Sequence, residues 1–286
     1  HSFSRRQRQM CIRDRDKPIN VVLNNKKIAS NKLLKKFPCT PIHNTTFSFA
    51  NASPDFRRKL LDRSAATCDE QFLANWFAYY RALKQRNSTL KNNRISDIYA
   101  WNKQLIHYGN SLTELRRLFF EKTLNNFRII LNSIGAINVF DFLKHIEISF
   151  FQGWEKNHTL LNILEDNIYN DKRRKTTLFG PHKSDIKFFI NNIDAKQILS
   201  RGEQKFFSIL WSCAQNEVLK KEYNIDPVLI IDDIKSELDE RVFDLLIKIL
   251  QHSKNQIIFS CIDDTFSSKI ADSLNQFKMF HVEQLR

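Results

Sequence analysis

Apolar side chains recur at three- and four-residue intervals through residues 54–144, where Phe56, Leu60 and Leu61 are followed by Phe72, Leu73, Trp76, Phe77, Tyr80 and Leu83. That period places a stripe on one face of a helix, so the segment is predicted to be a helical hairpin or bundle. Before it, residues 19–49 hold short β-rich pieces (20–23, 26–28, 37–38 and 45–49) separated by Lys, Asn and Pro. After it, from about residue 146 onward, short apolar runs at 146–150, 186–190, 228–231 and 257–259 alternate with amphipathic stretches at 205–221 and 240–252. Strand-length runs alternating with helix-length stretches are the pattern of α/β folds. The expected architecture is one α/β domain interrupted by an all-helical insertion, with no internal repeat.

Composition narrows the function classes. The 286 residues carry 45 Lys+Arg against 31 Asp+Glu, a net charge of +14, which points to acidic partners. At 42% hydrophobic the chain can fill the core of one large or two modest domains, so disorder throughout is excluded. It holds no uncharged apolar run of about 18 residues and no signal-peptide segment, and a cytoplasmic protein without a membrane partner is expected. The five cysteines (Cys11, Cys39, Cys68, Cys213, Cys261) form no C-x-x-C pair, which argues against a disulfide framework and a zinc site. Only five glycines occur, and their spacing fits neither a P-loop nor a dinucleotide fingerprint. The first fifteen residues carry five Arg and one Asp without apolar periodicity. They read either as a basic nucleic-acid arm or as a cloning or sequencing-adapter scar around residues 9–14; the second reading is preferred, and 1–15 are set aside.

The last block carries the candidate chemistry. Residues 228–231 form a continuous apolar run suited to a strand buried on both faces, and the run ends in Asp232-Asp233. At the carboxyl edge of an open α/β sheet one such carboxylate can hold Mg²⁺ and a second can orient water; the plainer reading is a strand ending in a polar turn. Ser236-Glu237-Leu238-Asp239 follows. Upstream, Leu199-Ser200-Arg201-Gly202-Glu203-Gln204-Lys205 leads into an amphipathic helix. A helix start with Ser and a close-approach Gly offers N–H groups to phosphate, whereas Ser200 with Glu203 three residues on is also good capping-box chemistry.

In that order the three pieces resemble the signature motif, Walker B strand and D-loop of ABC-type ATPases. With Gly180-Pro181-His182-Lys183-Ser184-Asp185 they are similar to the RecF family of bacterial recombination mediators. Arg57-Arg58-Lys59-Leu60-Leu61-Asp62, the segment from Tyr80 through Asn87, and Gly153-Trp154-Glu155-Lys156 also resemble that family, so the likeness runs from about residue 18 to the end. Two departures stand out. Ala52-Ser53 replaces the glycine pair expected before Pro54, and the family's P-loop would precede these residues, so the chain is read as an N-terminally truncated fragment, inactive alone.

The resemblance implies an ABC-type ATPase head, a P-loop NTPase-like α/β domain. Residues 16–50 would be the rest of its N-terminal part, 51–145 the helical insertion, and 146–286 the C-terminal part. It implies ATP and Mg²⁺ as cofactors and a homodimer closed around ATP on DNA. Ser200, Gly202 and Gln204 would then contact ATP in trans, Asp232 would assist Mg²⁺, Asp233 would position water, and Ser236 and Asp239 would form the D-loop. It implies double-stranded DNA and gapped junctions as ligands, RecR and RecO as partners, loading of the RecA recombinase at single-strand gaps, and a place in the SOS response. For DNA, Arg57, Arg58, Arg81, Lys84, Arg86 and Lys91, with Arg63 and Arg94 beside them, could neutralise phosphates or form a solvated helix face. Trp76, Phe77, Tyr79 and Tyr80 match core spacing better than a stacking platform, and packing is the expected role of His182. The alternatives are a non-catalytic basic DNA-binding protein, which has no use for Asp232-Asp233, and another ABC-type head, which leaves the segment from Tyr80 unexplained.

Overall fold

The computed structural model describes residues 21–28, 33, 35–43, 49–92, 95–136, 139–232, 240–253, 255–260, 270 and 278–280. The chain divides into two compact units, His1–Phe37 and Pro38–Arg286. In the first, β1 (Val21–Leu23) and β2 (Lys26–Ile28) pair antiparallel through a two-residue turn. Asn24 and Asn25 have φ of 50° and 61°, the left-handed pair that a type I′ hairpin turn requires.

The second unit opens with β3 (Cys39–Ile42), a strand that the sequence pattern missed because Pro41 interrupts its apolar run. Helices α1 (Pro54–Cys68), α2 (Glu70–Lys91) and α3 (Ile98–Ser133) follow. Ser53 explains how the chain enters α1 without a glycine pair: it is extended (φ −65°, ψ 153°), its side chain accepts the Phe56 N–H, and Pro54 takes the first helical position. Asp69 breaks α1 from α2 and caps the second helix by accepting the Gln71 N–H at 2.7 Å. Helices α2 and α3 pack antiparallel, with Gly109 against Tyr79 and Asn102 against Arg86.

Strands β4 (Ile146–Phe151), β5 (Asp185–Ile190) and β6 (Ile193–Asp194) make an antiparallel sheet. Its β5–β6 turn again uses an Asn pair, Asn191 and Asn192, at φ of 50° and 65°. Between β4 and β5 lie the short helices α4 (Leu160–Asp166) and α5 (Ile168–Arg174). Helix α6 (Ala195–Ile198) leads to α7 (Arg201–Tyr223), and β7 (Val228–Asp232), α8 (Glu240–Ser253) and β8 (Ile257–Ser260) complete the described elements. Strands β3, β7 and β8 form a parallel sheet in the order β3-β7-β8.

Helix α7 is buried nearly all round, which marks it as the central helix rather than a surface one. Its Phe207 and Trp211 meet Phe49, Phe127 of α3 and Phe188 of β5 in one aromatic cluster. Burying each such side chain contributes about 1.5–3 kcal/mol. Asn216 accepts the Thr40 hydroxyl proton at 2.6 Å and so joins α7 to the parallel sheet.

Candidate functional site

Asp232 ends the central strand of the parallel sheet and is exposed at its carboxyl edge, where ligands of open α/β sheets bind. Its register partner on β8 is Ser260, whose Oγ donates to Asp232 Oδ1. A hard carboxylate oxygen suits Mg²⁺, which keeps several waters and needs only one or two protein carboxylates beside substrate phosphates. The described residues contain no cluster of three or more His, Cys, Asp or Glu that could cage a metal. Asp233, Ser236 and Asp239 lie outside the described residues.

At the start of α7 the Ser200 hydroxyl accepts the Glu203 N–H at 3.4 Å, and the Glu203 carboxylate accepts the Ser200 N–H at 2.8 Å. The capping box is complete. Gly202 occupies the second helical position, at the positive end of the helix dipole. Gln204 turns inward: its Nε2 donates to Leu199 O at 2.7 Å and its Oε1 accepts from Asn51 at 2.5 Å. The side chains of Ser200 and Gln204 thus bond within their own helix start and to residue 51, while Asp232 bonds to β8.

Residues 180–185 are clamped from the helical block. Arg116 of α3, fully buried, forms a two-pronged pair with Asp62 of α1 (2.7 Å for each contact) and also donates to Pro181 O at 2.6 Å and Ser184 Oγ at 3.1 Å. Trp76 donates its indole N–H to the same Asp62 at 3.0 Å. His182 Nε2 lies 3.0 Å from the Thr177 carbonyl, which can only accept, so the proton sits on Nε2 and Nδ1 accepts from the Tyr79 hydroxyl at 2.7 Å. Burial pushes His182 down to about 4 and raises Tyr79 well above its usual value. Both are neutral in the fold. Gly180 (φ 136°) and Gly153 (φ 107°) are back to back, and a Cβ on Gly153 would collide with the Gly180 carbonyl.

The same clamp redefines part of the predicted DNA surface. Arg86 is 0% exposed; it donates to Asp171 and Thr177 at 2.7 Å each and to Asn102 at 2.6 Å. Burial raises the Asp171 carboxyl, opposed by Arg86 and by the Leu178 N–H. A side chain without surface cannot reach a phosphate, so Arg86 is corrected from a DNA candidate to a structural residue. Arg57 makes a two-pronged pair with Asp185 (2.7 and 2.8 Å) and donates to Ala50 O and Ala52 O, while Arg58 donates to Ser184 O at 2.5 Å. These two are committed to the clamp, and Arg63 donates to Cys39 O at 3.2 Å. Arg81, Lys84 and Lys91 are exposed on α2; Arg94 lies outside the described residues. Sequence reasoning missed Arg116 and Asp171, and it named Asp62 only as the end of a family-like segment, with no role. A signal of burial was present for the arginines alone: Arg86 recurs at core spacing with Leu83 and Leu90, and Arg116 with Leu112 and Phe120.

A parallel sheet with a carboxylate at its carboxyl edge, a central helix opening on Ser-x-Gly-x-Gln, and a helical block inserted ahead of both define an ABC-type ATPase head interrupted by a helical domain. No family model matches the chain. It is 31% identical over 276 residues to the DNA replication and repair protein RecF of Shewanella frigidimarina, covering 95% of this chain and 74% of that protein. Against RecF of Shewanella denitrificans the identity is 32% over 280 residues, with 96% and 75% covered. The chain belongs to the RecF family. In fold it matches a solved recombination mediator protein RecF–ATP of the RecFOR pathway with a TM-score of 0.70 at 24% identity, over 84% of this chain and 66% of the other. A second RecF structure, with an ATP analogue, gives 0.70 at 23%. The chain thus spans about three quarters of those curated relatives and just under two thirds of the first solved one.

Proposed function

We propose that these residues form the signature, Walker B and helical parts of a RecF-type ATPase that dimerises around ATP and Mg²⁺ on DNA in the cytoplasm. The observation that carries this reading is Asp232, exposed at the carboxyl edge of the central parallel strand in a chain of the RecF family. Asp232 would hold Mg²⁺, which neutralises phosphate charge when bound, and Asp233 would position the attacking water. Ser200 and Gly202 would face the nucleotide of a second copy, where the N–H groups and dipole of the α7 start favour an anion, with Gln204 behind them. Gln204 would act by fixing that start, accepting from Asn51 and donating to Leu199 O. Ser236 and Asp239 would form the D-loop between the two sites. No P-loop motif occurs in the 286 residues, so hydrolysis requires phosphate-cradling backbone supplied from outside them. The biological reading is binding of double-stranded DNA at gapped junctions, with RecR and RecO as partners in loading RecA during the SOS response.

The DNA part is tested with this chain directly. Exposed Arg81, Lys84 and Lys91 would neutralise phosphates without reading bases, so affinity should be sequence-tolerant and fall steeply with salt. Replacing all three by Ala should reduce the slope of log K against log salt by about 3, roughly one for each phosphate no longer neutralised. Salt-independent binding, or an unchanged slope in the triple variant, would reject this face of α2.

A further inference from the structure

A cavity of about 30 Å³ lies beside β3 and is lined also by residues of α1 and α7. Cys39, Arg63, Thr67, Ser212 and Gln215 line it. Arg63 Nη2 lies 3.7 Å from the Cys39 sulfur. Gln215 is only 4% exposed, yet its Nε2 has no hydrogen-bond partner among the described residues. Leaving a buried amide N–H₂ without an acceptor is costly, so it points to something that belongs in the cavity. The Thr67 and Ser212 hydroxyls give their protons to Arg63 O and Ser208 O at 2.9 Å each, which leaves their oxygens as acceptors. The cavity therefore offers both donors and acceptors. One water needs roughly 10–15 Å³, so there is room for a molecule of two oxygens and little more.

We propose that this cavity admits hydrogen peroxide and that Cys39 is oxidised there to a sulfenic acid. The sulfur attacks one peroxide oxygen and an S–O bond forms as the O–O bond breaks. The bonding pair leaves with the second oxygen, which takes the thiol proton and departs as water. Sulfur loses two electrons and the peroxide gains them. Gln215 Nε2 and Arg63 donate to the peroxide oxygens and then to the sulfenic oxygen. The protein supplies its own comparators: Cys213 is buried and Cys68 is half-buried, and burial raises both thiols to about 12, which keeps them in the unreactive thiol form.

The test is peptide-resolved dimedone labelling of the full chain treated with hydrogen peroxide, with Cys11 and Cys261 quantified separately. Cys39 should be labelled at least about tenfold faster than Cys68 and Cys213. Gln215→Leu and Arg63→Gln, each confirmed folded by circular dichroism, should each slow Cys39 about tenfold, the effect of one hydrogen bond to a reacting group. Cumene hydroperoxide, too large for the cavity, should leave Cys39 unlabelled. Labelling of Cys39 no faster than of Cys213, equal labelling by the bulky hydroperoxide, or rates unchanged in Gln215→Leu would each overturn the assignment.

Discussion

At the scale of single residues, glycine is used sparingly and arginine in unexpected places. With five glycines in 286 residues, left-handed backbone falls largely to Asn, at Asn24, Asn25, Asn191, Asn192 and the α7 cap Asn224. Glycine remains where a Cβ would strike backbone, as at Gly153. Arginine that reads as a DNA surface is instead placed inside. Arg86→Ala should cost about 3–5 kcal/mol in urea denaturation, because Asp171 is left charged and buried, while Arg86→Met with Asp171→Leu should recover most of it. A single-variant loss below about 1 kcal/mol would contradict a buried ion pair. His182 gives the clamp a pH signature. Its folded pKa lies below the unfolded value of 6.5, at about 4. Above pH 6.5 both states are neutral and the fold loses nothing. As pH falls from 6.5 towards 4, the unfolded chain binds a proton that the folded chain refuses, and stability drops by up to about 3 kcal/mol. In His182→Gln that component should vanish, and an identical fall in stability between pH 7 and pH 4.5 would place the titration elsewhere.

At the scale of elements, the hydrophobic period made most of the fold legible. The expected strand at 146–150 is Ile146–Phe151, and the expected helix at 205–221 is Arg201–Tyr223, extended by its capping box. The piece expected at 45–49 falls largely outside the described residues, and Phe49 is in a turn. Two kinds of element escaped. Strand β3 is short and carries Pro41, which a β-edge tolerates but a propensity reading discounts. Helices α4 and α5 are seven residues each, too short to display a period. The pairings within the clamp were illegible because partners such as Arg116 and Asp62 are 54 residues apart, and nothing local announces that they meet. At the α7 start, both chemistries that the residues allowed remain relevant, and the cap is realised. Ser200→Ala should therefore lower stability by about 1 kcal/mol, measured by urea denaturation without nucleotide. No change would mean that the capping box is idle.

At the scale of the whole molecule, the buried Arg116 and the half-buried Arg58 tie the helical block to residues 180–185, the parallel sheet presents a carboxylate at its edge, and the α7 start is the place proposed to meet a second copy. Family membership rests on relatives matched over most of this chain; the dimeric sandwich is the proposal that most needs a direct measurement. That measurement is the light-scattering mass, with and without ATP, of a protein in which these residues follow a P-loop, beside its Gly202→Arg variant. Both proteins should bind ATP as monomers with similar affinity. The unaltered protein should double its mass with ATP, and Gly202→Arg should stay monomeric because its bulk blocks approach to the partner's γ-phosphate. ATP-dependent dimers of undiminished stability in Gly202→Arg would contradict the role given to the α7 start.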